Sequence, residues 1–296
     1  PRRDTEPDFI ESIARGFDVV KAFDAKRPVM TLSEVSTVTQ LARPTVRRIL
    51  RTLEALGYVR PVDGGYALTP RVLELGLTYV QGMGLWDVAR PHMERLVSRT
   101  HESTSIGQLD GSDIVYVARV AVPKLIALAV QIGTRFPAPP TSLGKVLLAG
   151  LGSDELDRVL AEPSRAGVEA RWRPDRAELD IELREVRARG WALTDEQLAS
   201  GIRSIAAPVR DGSGRVVAAM NVTVHAAETS VRTLTEDHLP LLLQTASAVS
   251  ADFARYDALP KATVNPNVPA RSGAASGLDT TDGGERLGAA PHLVRP

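Results

Sequence analysis

The sequence predicts an α+β protein, in which a small helical domain closed by one hairpin precedes a larger domain of mixed strands and helices. Three observations carry that prediction. Residues 31–56 hold two short helical patterns joined by a tight turn, the second studded with arginine. Residues 104–120 and 204–225 each read as two strands around an Asp-Gly-Ser turn, a sequence that favours chain reversal because Gly and Asp tolerate turn geometry. Apolar residues make up 43% of 296, enough for packed cores in two domains of roughly 150 residues each.

Composition narrows the chemistry further. Lys plus Arg and Asp plus Glu number 36 each, so a nucleic-acid partner has to be recognised from local clustering rather than net charge. Cysteine is absent, which removes disulfide frameworks, thiolate nucleophiles and Cys-based zinc or iron–sulfur sites and is compatible with a reducing cytoplasm. No run of about 18 apolar residues occurs, and no apolar core follows the two arginines near the N-terminus, so neither a membrane span nor a signal peptide is expected.

In order along the chain, residues 1–8 are polar and expected to be loose. Ile10, Ile13, Phe17 and Val20 recur at helical spacing, with Asp8 and Glu11 as a capping pair, and the helix is expected to end near residues 25–28, where Lys-Arg-Pro interrupts the period. Thr31 with Glu34 three residues later forms a second capping box, ahead of a short helix whose Leu32, Val35 and Val38 are expected to supply a buried face. After the turn at residues 39–41 a third helix begins at residues 42–44, since Pro44 suits a first turn. Its apolar stripe is Val46, Ile49, Leu50, Leu53 and Leu56. Arg43, Arg47 and Arg51 repeat every fourth residue on another face, with Arg48 beside them, and Gly57 supplies the C-terminal stop. Residues 58–69 read as a hairpin around Asp63, Gly64 and Gly65. Three helices followed by a hairpin make a winged helix-turn-helix over residues 9–69.

Pro70 opens a linker helix expected over residues 70–84. The larger domain, residues 85–257, is expected to contain a helix at 86–100, with Pro91 early enough to be accommodated, then strands at 104–109, 114–120 and 125–132. Helices follow at 142–149, 154–160 and 175–189, then strands at 204–210 and 216–225, and a closing helix at 235–256. Residues 258–296 are rich in Pro, Gly, Ala and Ser without amphipathic period, and are expected to be disordered because they cannot bury enough apolar surface to offset chain entropy.

With these residues laid out, the chain resembles the IclR family of transcriptional regulators, and within it the subgroup controlling protocatechuate and 4-hydroxybenzoate catabolism through the β-ketoadipate pathway. The resemblance spans about residues 9–256. It rests on FIESIARGFDVVKAFD, TLSEV, RRILRTLEALGYV, LTPRVLELG, LDGSDIVYVARV, TSLGKVLLA, GIRSIAAPVRD and AAMNVTVH in that order. One departure is Ala42, which stands where a Ser, Thr or Asp cap is more usual before the recognition helix. The resemblance implies a GAF-like C-terminal domain that binds a small effector between its sheet and the helices on one side. It implies no cofactor, and assembly as a homodimer or a tetramer.

A recognition helix fits the major groove, where Arg donates two hydrogen bonds to guanine and a Thr methyl touches thymine. Arg43, Thr45, Arg47 and Arg48 are the candidates for base contact, with Pro44 against the groove wall. Arg51, Thr31 and Ser33 are the candidates for phosphate. One short helix reads too few base pairs to be selective alone, so the expected partner is a palindromic or repeated double-stranded operator.

For the effector, a small aromatic acid or ring-cleaved dicarboxylate, the resemblance places Ser142 and Leu143 at a helix N-terminus that favours a carboxylate. It adds Ser204 at a strand start, Asn221 and Thr223 on a neighbouring strand, and Thr194 and Asp195 in a loop approaching the site. The spacing of Asn221 and Thr223 puts both on one face of a sheet. Each has a plainer reading: Ser142 as an N-cap, Asp195 as a surface turn residue, Asn221 and Thr223 as satisfied polar groups within the sheet.

Enzyme chemistry is not expected. Ser204, His225 and Asp195 lack a G-x-S-x-G elbow, and Leu-Gly-Lys-Val lacks the pattern of a phosphate-binding loop. The five histidines, at 92, 101, 225, 238 and 292, have no paired metal-ligand spacing. The competing reading is a small-molecule-binding or enzymatic GAF-like domain whose helix-turn-helix serves protein interaction. A steep loss of DNA binding with salt separates the two, because it reports phosphate neutralisation.

Overall fold

In a computed structural model, residues 8–76, 79, 84–123 and 130–258 are described. The N-terminal domain begins with α1 (Glu11–Lys21). The expected Asp8–Glu11 cap does not form: Ile10 is the N-cap and no side chain caps it. The helix also ends earlier than residues 25–28. The cause is Asp24, whose Oδ1 accepts from the Lys26 and Arg27 N–H groups, both at 2.8 Å, a local bond that competes with helix continuation. The capping box of α2 (Leu32–Thr39) is present, with Glu34 N–H donating to Thr31 Oγ1 at 3.2 Å and Thr31 N–H to Glu34 Oε2 at 2.7 Å. Gln40 turns the chain in the left-handed conformation, and α3 (Arg43–Ala55) follows with Ala42 as an N-cap that makes no side-chain bond.

The wing has three strands rather than two. The additional strand, β1 (Val29–Met30), is too short to show alternation, and it pairs with β3 (Gly65–Leu68), which pairs in turn with β2 (Val59–Val62). Gly65 is required at this crossing, since a Cβ there would lie 2.4 Å from the Met30 carbonyl oxygen. Val19, Phe23, Met30, Val35, Val46, Leu50 and Val59 form the core of this domain. The apolar stripe anticipated on α1 does not join it. Ile10, Ile13 and Phe17 remain 60%, 55% and 49% exposed, and so does Leu56, the C-cap of α3, at 52%.

Pro70 opens a single 3₁₀ turn (Pro70–Val72), capped by Thr69. Most of the linker helix expected beyond residue 76, and the tail beyond residue 258, lie outside the described residues. The larger domain is a six-stranded antiparallel sheet in the order β6-β5-β4-β9-β8-β7. Its strands are β4 (Ser103–Asp110), β5 (Asp113–Val120), β6 (Arg135–Pro137), β7 (Ala192–Asp195), β8 (Ile202–Arg210) and β9 (Val216–His225). One face packs on α4 (Leu85–Thr100), which holds Pro91 past its first turn, and on α8 (Leu239–Ala258). The other face packs on α5 (Ser142–Ala149) and α7 (Arg176–Arg189), with α6 (Ser153–Ala161) beyond α5.

Three expectations in this domain are corrected. The strand anticipated at 125–132 is not formed at its described end; Gln131 N–H donates to Thr134 Oγ1 in a turn, and the strand that pairs with β5 is β6, further on. Thr194 and Asp195 lie in the edge strand β7 rather than in a loop. The closing helix starts earlier, at a helical turn Val231–Thr233 capped by Ser230, and runs through a π segment, Leu234–His238. Pro240, with no N–H to continue an α ladder, follows that segment, where wider i→i+5 bonding fits.

Candidate functional site

On α3 the stripe predicted to pack does so at Val46 and Leu50, with Ile49 and Leu53 half-buried. Arg43, Pro44, Arg47, Arg48 and Arg51 are exposed. Among the described residues Arg47, Arg48 and Arg51 have no acidic partner, so their donors are presented to solvent. Arg43 donates to Ser33 at the start of α2, which ties the first turns of the two helices together. Thr45 and Arg48 sit beside Ile49, Leu53 and the α1 residue Phe17 along an open apolar groove of about 820 Å³. Thr31 is engaged with Glu34 in its capping box, its Oγ1 accepting from the Glu34 N–H.

In the larger domain the sheet register builds the second site. Ser103, Thr223, Ser204 and Thr194 pair in succession across β4, β9, β8 and β7, and directly opposed residues of antiparallel strands share a face. Four hydroxyls therefore stand in one row. The next row is Arg119, Ser105 and Asn221. Above the rows lies the start of α5. Thr141 is its N-cap, accepting from the Gly144 N–H at 2.9 Å, so Ser142 is not the plain cap. Ser142 Oγ instead bonds Ser204 Oγ at 2.7 Å, and Ser204 Oγ bonds Thr194 Oγ1 at 2.9 Å. Gly144 lets the first turn of α5 close on the segment leading into it, because a Cβ there would fall 2.0 Å from the Ala138 carbonyl oxygen.

These groups enclose a cavity of about 50 Å³, lined by Ser142, Leu143, Thr194, Ser204, Asn221 and Thr223 together with Tyr116 and Arg119. Asp195 does not line it. One position along β7 from Thr194, it faces the other way and accepts from Arg203 Nε at 2.6 Å. Asn221 is oriented by two bonds: its Oδ1 accepts from the Ser105 N–H and its Nδ2 donates to Thr223 Oγ1, both at 3.0 Å.

Sequence reasoning missed Tyr116 and Arg119. Plain alternation would put them on opposite faces. A β-bulge intervenes, since Ile106 pairs with Ala118 while Gly107 pairs with Tyr116, and the extra residue resets the alternation so that both side chains face the cavity. Arg119 Nη1 donates to Ser105 Oγ at 2.9 Å. Burial lowers its pKa, yet a guanidinium stays charged in a protein. Burial pushes the Tyr116 hydroxyl up to about 12, against the opposing pull of Arg119 and of a hydrogen bond with Asn221. It is therefore a neutral hydroxyl at physiological pH. One fixed cation, a helix N-terminus and a row of hydroxyls complement a carboxylate.

With both sites in place, comparison with known proteins is decisive. Residues 12–63 match the IclR helix-turn-helix domain, and residues 77–251 match the bacterial transcriptional regulator IclR C-terminal domain. The chain belongs to the IclR family of transcriptional regulators. Among IclR-family relatives, the Pca regulon regulatory protein of Pseudomonas putida is 38% identical over 239 residues, 80% of this chain and 82% of that protein. A transcriptional regulator from Rhodococcus sp. RHA1 superposes with a TM-score of 0.73 at 45% identity, covering 84% of this chain and 100% of its own. An IclR homologue from Microbacterium hydrocarbonoxydans, crystallised with 4-hydroxybenzoate, superposes with a TM-score of 0.72 at 25% identity, covering 83% and 99%. No helix among the described residues is long and apolar enough to cross a membrane.

Proposed function

We propose that this IclR-family regulator controls an aromatic-acid catabolic operon of the β-ketoadipate type, and that a small carboxylate in the Arg119 cavity sets its affinity for DNA. The observation that carries the reading is the cavity itself, in which Arg119, Asn221, Thr223 and Ser204 converge under the N-terminus of α5. Ser142, Leu143 and Thr194 complete the effector site; Asp195, turned away, acts only through Arg203. The relatives' names support the pathway, since one governs a Pca regulon and another was crystallised with 4-hydroxybenzoate.

On the DNA side, Arg43, Pro44, Thr45, Arg47 and Arg48 enter the major groove, while Arg51, Thr31 and Ser33 meet phosphate. The protein acts in the cytoplasm, on a palindromic or repeated operator, as a homodimer or a tetramer. The exposed apolar side chains of Ile10, Ile13 and Phe17 at α1 support self-association, because apolar surface of this extent is seldom left bare.

The cavity is about 50 Å³, a third of the roughly 150 Å³ that admits benzene. An aromatic acid therefore enters only if a wall yields. Leu198 supplies one such wall, carried on a loop whose Gln197 carbonyl accepts from the Trp172 N–H at 2.9 Å. Displacement of that loop gives the effector different affinities for two arrangements of the protein, which is what a switch requires.

The test is melting temperature against protocatechuate, 4-hydroxybenzoate, β-ketoadipate, pyruvate and glyoxylate. A ligand that binds only the folded state raises it, by a few degrees at tenfold excess over Kd. At least one aromatic acid or β-ketoadipate is expected to do so in the native protein and to lose most of the effect in Arg119→Met. No response to any of them would end the assignment.

A further inference from the structure

A second pocket, of about 250 Å³, lies at the other end of the same helix, independent of the effector reading. Its wall is formed by the last turn of α5, the C-terminus of α7 and the β8–β9 turn, and Arg187, Arg210 and Arg215 stand around it. Helix α5 has eight residues, so about 12 Å of rigid helix separates this pocket from the effector cavity.

Each guanidinium is braced along one edge. Arg187 Nε donates to the Ala149 carbonyl at 2.7 Å and Nη2 to the Leu151 carbonyl at 3.3 Å, closing the end of α5. Arg210 Nη1 donates to the Gly214 carbonyl at 2.9 Å. Arg215 Nε reaches Asp211 Oδ2 at 3.4 Å. Asp211 is also engaged by the backbone and hydroxyl of Ser213 and by the Arg215 N–H. Among the described residues Arg187 and Arg210 have no carboxylate partner. In a chain with equal numbers of acidic and basic residues, this hollow carries a local excess of two positive charges, with several N–H donors unused.

We infer that this pocket is an oxyanion site for inorganic phosphate or a phosphomonoester. Braced, planar guanidinium groups are suited to phosphate because their parallel donors match its oxygens and little side-chain freedom is left to lose. The concavity and the apolar back wall of Val146, Val186 and Val216 favour a small anion over a flat macromolecular partner. An anion here engages Arg187, the residue that caps α5, so the site is placed to act on the helix whose first turn lines the effector cavity.

The experiment follows the melting temperature of the full chain with inorganic phosphate, with glycerol 3-phosphate, and with sodium chloride at matched ionic strength. It compares the native protein with R210A/R215A, which leaves the capping Arg187 in place. Both substituted side chains are on the surface, so the variant without anion should melt within about 2 °C of the native protein. The native protein is expected to gain a few degrees saturably with phosphate, with glycerol 3-phosphate or with both, and the double variant to gain none of it. A response to free phosphate alone identifies the ion, and a larger response to glycerol 3-phosphate identifies the ester. Phosphate also stabilises proteins generally by exclusion from their surface, so an equal rise in both proteins overturns the inference. So does no rise in either. A double variant that changes oligomeric state while the native protein ignores both anions also overturns it, by making the surface a protein contact.

Discussion

Arg119 and Arg47 share a guanidinium and differ in everything around it. Arg119 is half-buried on the cavity side of β5 because one extra residue resets the strand's alternation, and it is braced by Ser105. Arg47 is exposed on α3, has no partner among the described residues, and is one helical turn from Arg43 and one from Arg51. In the proposed roles, burial fixes the Arg119 charge for one ligand atom, whereas exposure leaves Arg47 free to reach a base edge. Arg47→Ala is expected to weaken specific operator binding by about 1–3 kcal/mol, measured by titration of labelled DNA, with a smaller loss on unrelated sequence. Equal losses on both DNAs would reassign Arg47 to phosphate.

At the level of elements, α5 is the piece on which both sites of the larger domain depend, and Lys145 secures its flank. The Lys145 side chain is fully buried, its Nζ lies 2.6 Å from Glu182 Oε2 on α7 and 4.4 Å from the centre of the Trp172 ring. Burial is the largest influence on Lys145 and lowers its pKa from 10.5, while Glu182 pulls it back up. Removing the carboxylate strands a buried cation, at a cost near the lower end of about 3–5 kcal/mol because Glu182 itself is 32% exposed. Glu182→Ala should therefore unfold at lower urea, and adding Lys145→Met should recover most of the loss.

The pH dependence has a definite sign. Between the lowered folded pKa and 10.5 the unfolded chain binds more protons, so stability from this site rises with pH in that window. Loss of Glu182 lowers the folded pKa further, so the Glu182→Ala deficit should shrink as pH rises from the variant's folded pKa to the native one, both below 10.5. A deficit constant with pH would contradict the pairing.

Elements with strong period or strong caps could be read from sequence: α2 from Thr31 and Glu34, α3 from its stripe, β8 and β9 from their turn. Those set by partners far along the chain could not. β1 exists only through β3, and β7 only through β8. The bulge that aims Arg119 is a property of the β4–β5 pairing rather than of either strand. Asn221 and Thr223 could be placed on one face by period alone, but the row joining Thr223 to Ser204 and Thr194 required the register of three strands.

At the scale of the molecule, the proposed function gives reading and sensing to separate sets of residues. The recognition helix belongs to the small domain, and the cavity to the sheet of the larger one. An effector can regulate DNA affinity only by favouring one of two arrangements, with a coupling that typically corresponds to about 5–150-fold in affinity. On the proposed self-association, the exposed Ile13 and Phe17 of α1 are the surface on which another copy packs, and a two-fold operator is the matching target.

The most direct measurement is fluorescence anisotropy of the DNA upstream of the protein's own gene, titrated with and without 4-hydroxybenzoate, protocatechuate and β-ketoadipate. At least one of these acids is expected to change the operator Kd by about fivefold or more. Asn221→Ala with Thr223→Val should abolish the change while leaving ligand-free binding intact. Superimposable isotherms for the native protein with and without every acid would contradict the proposed function.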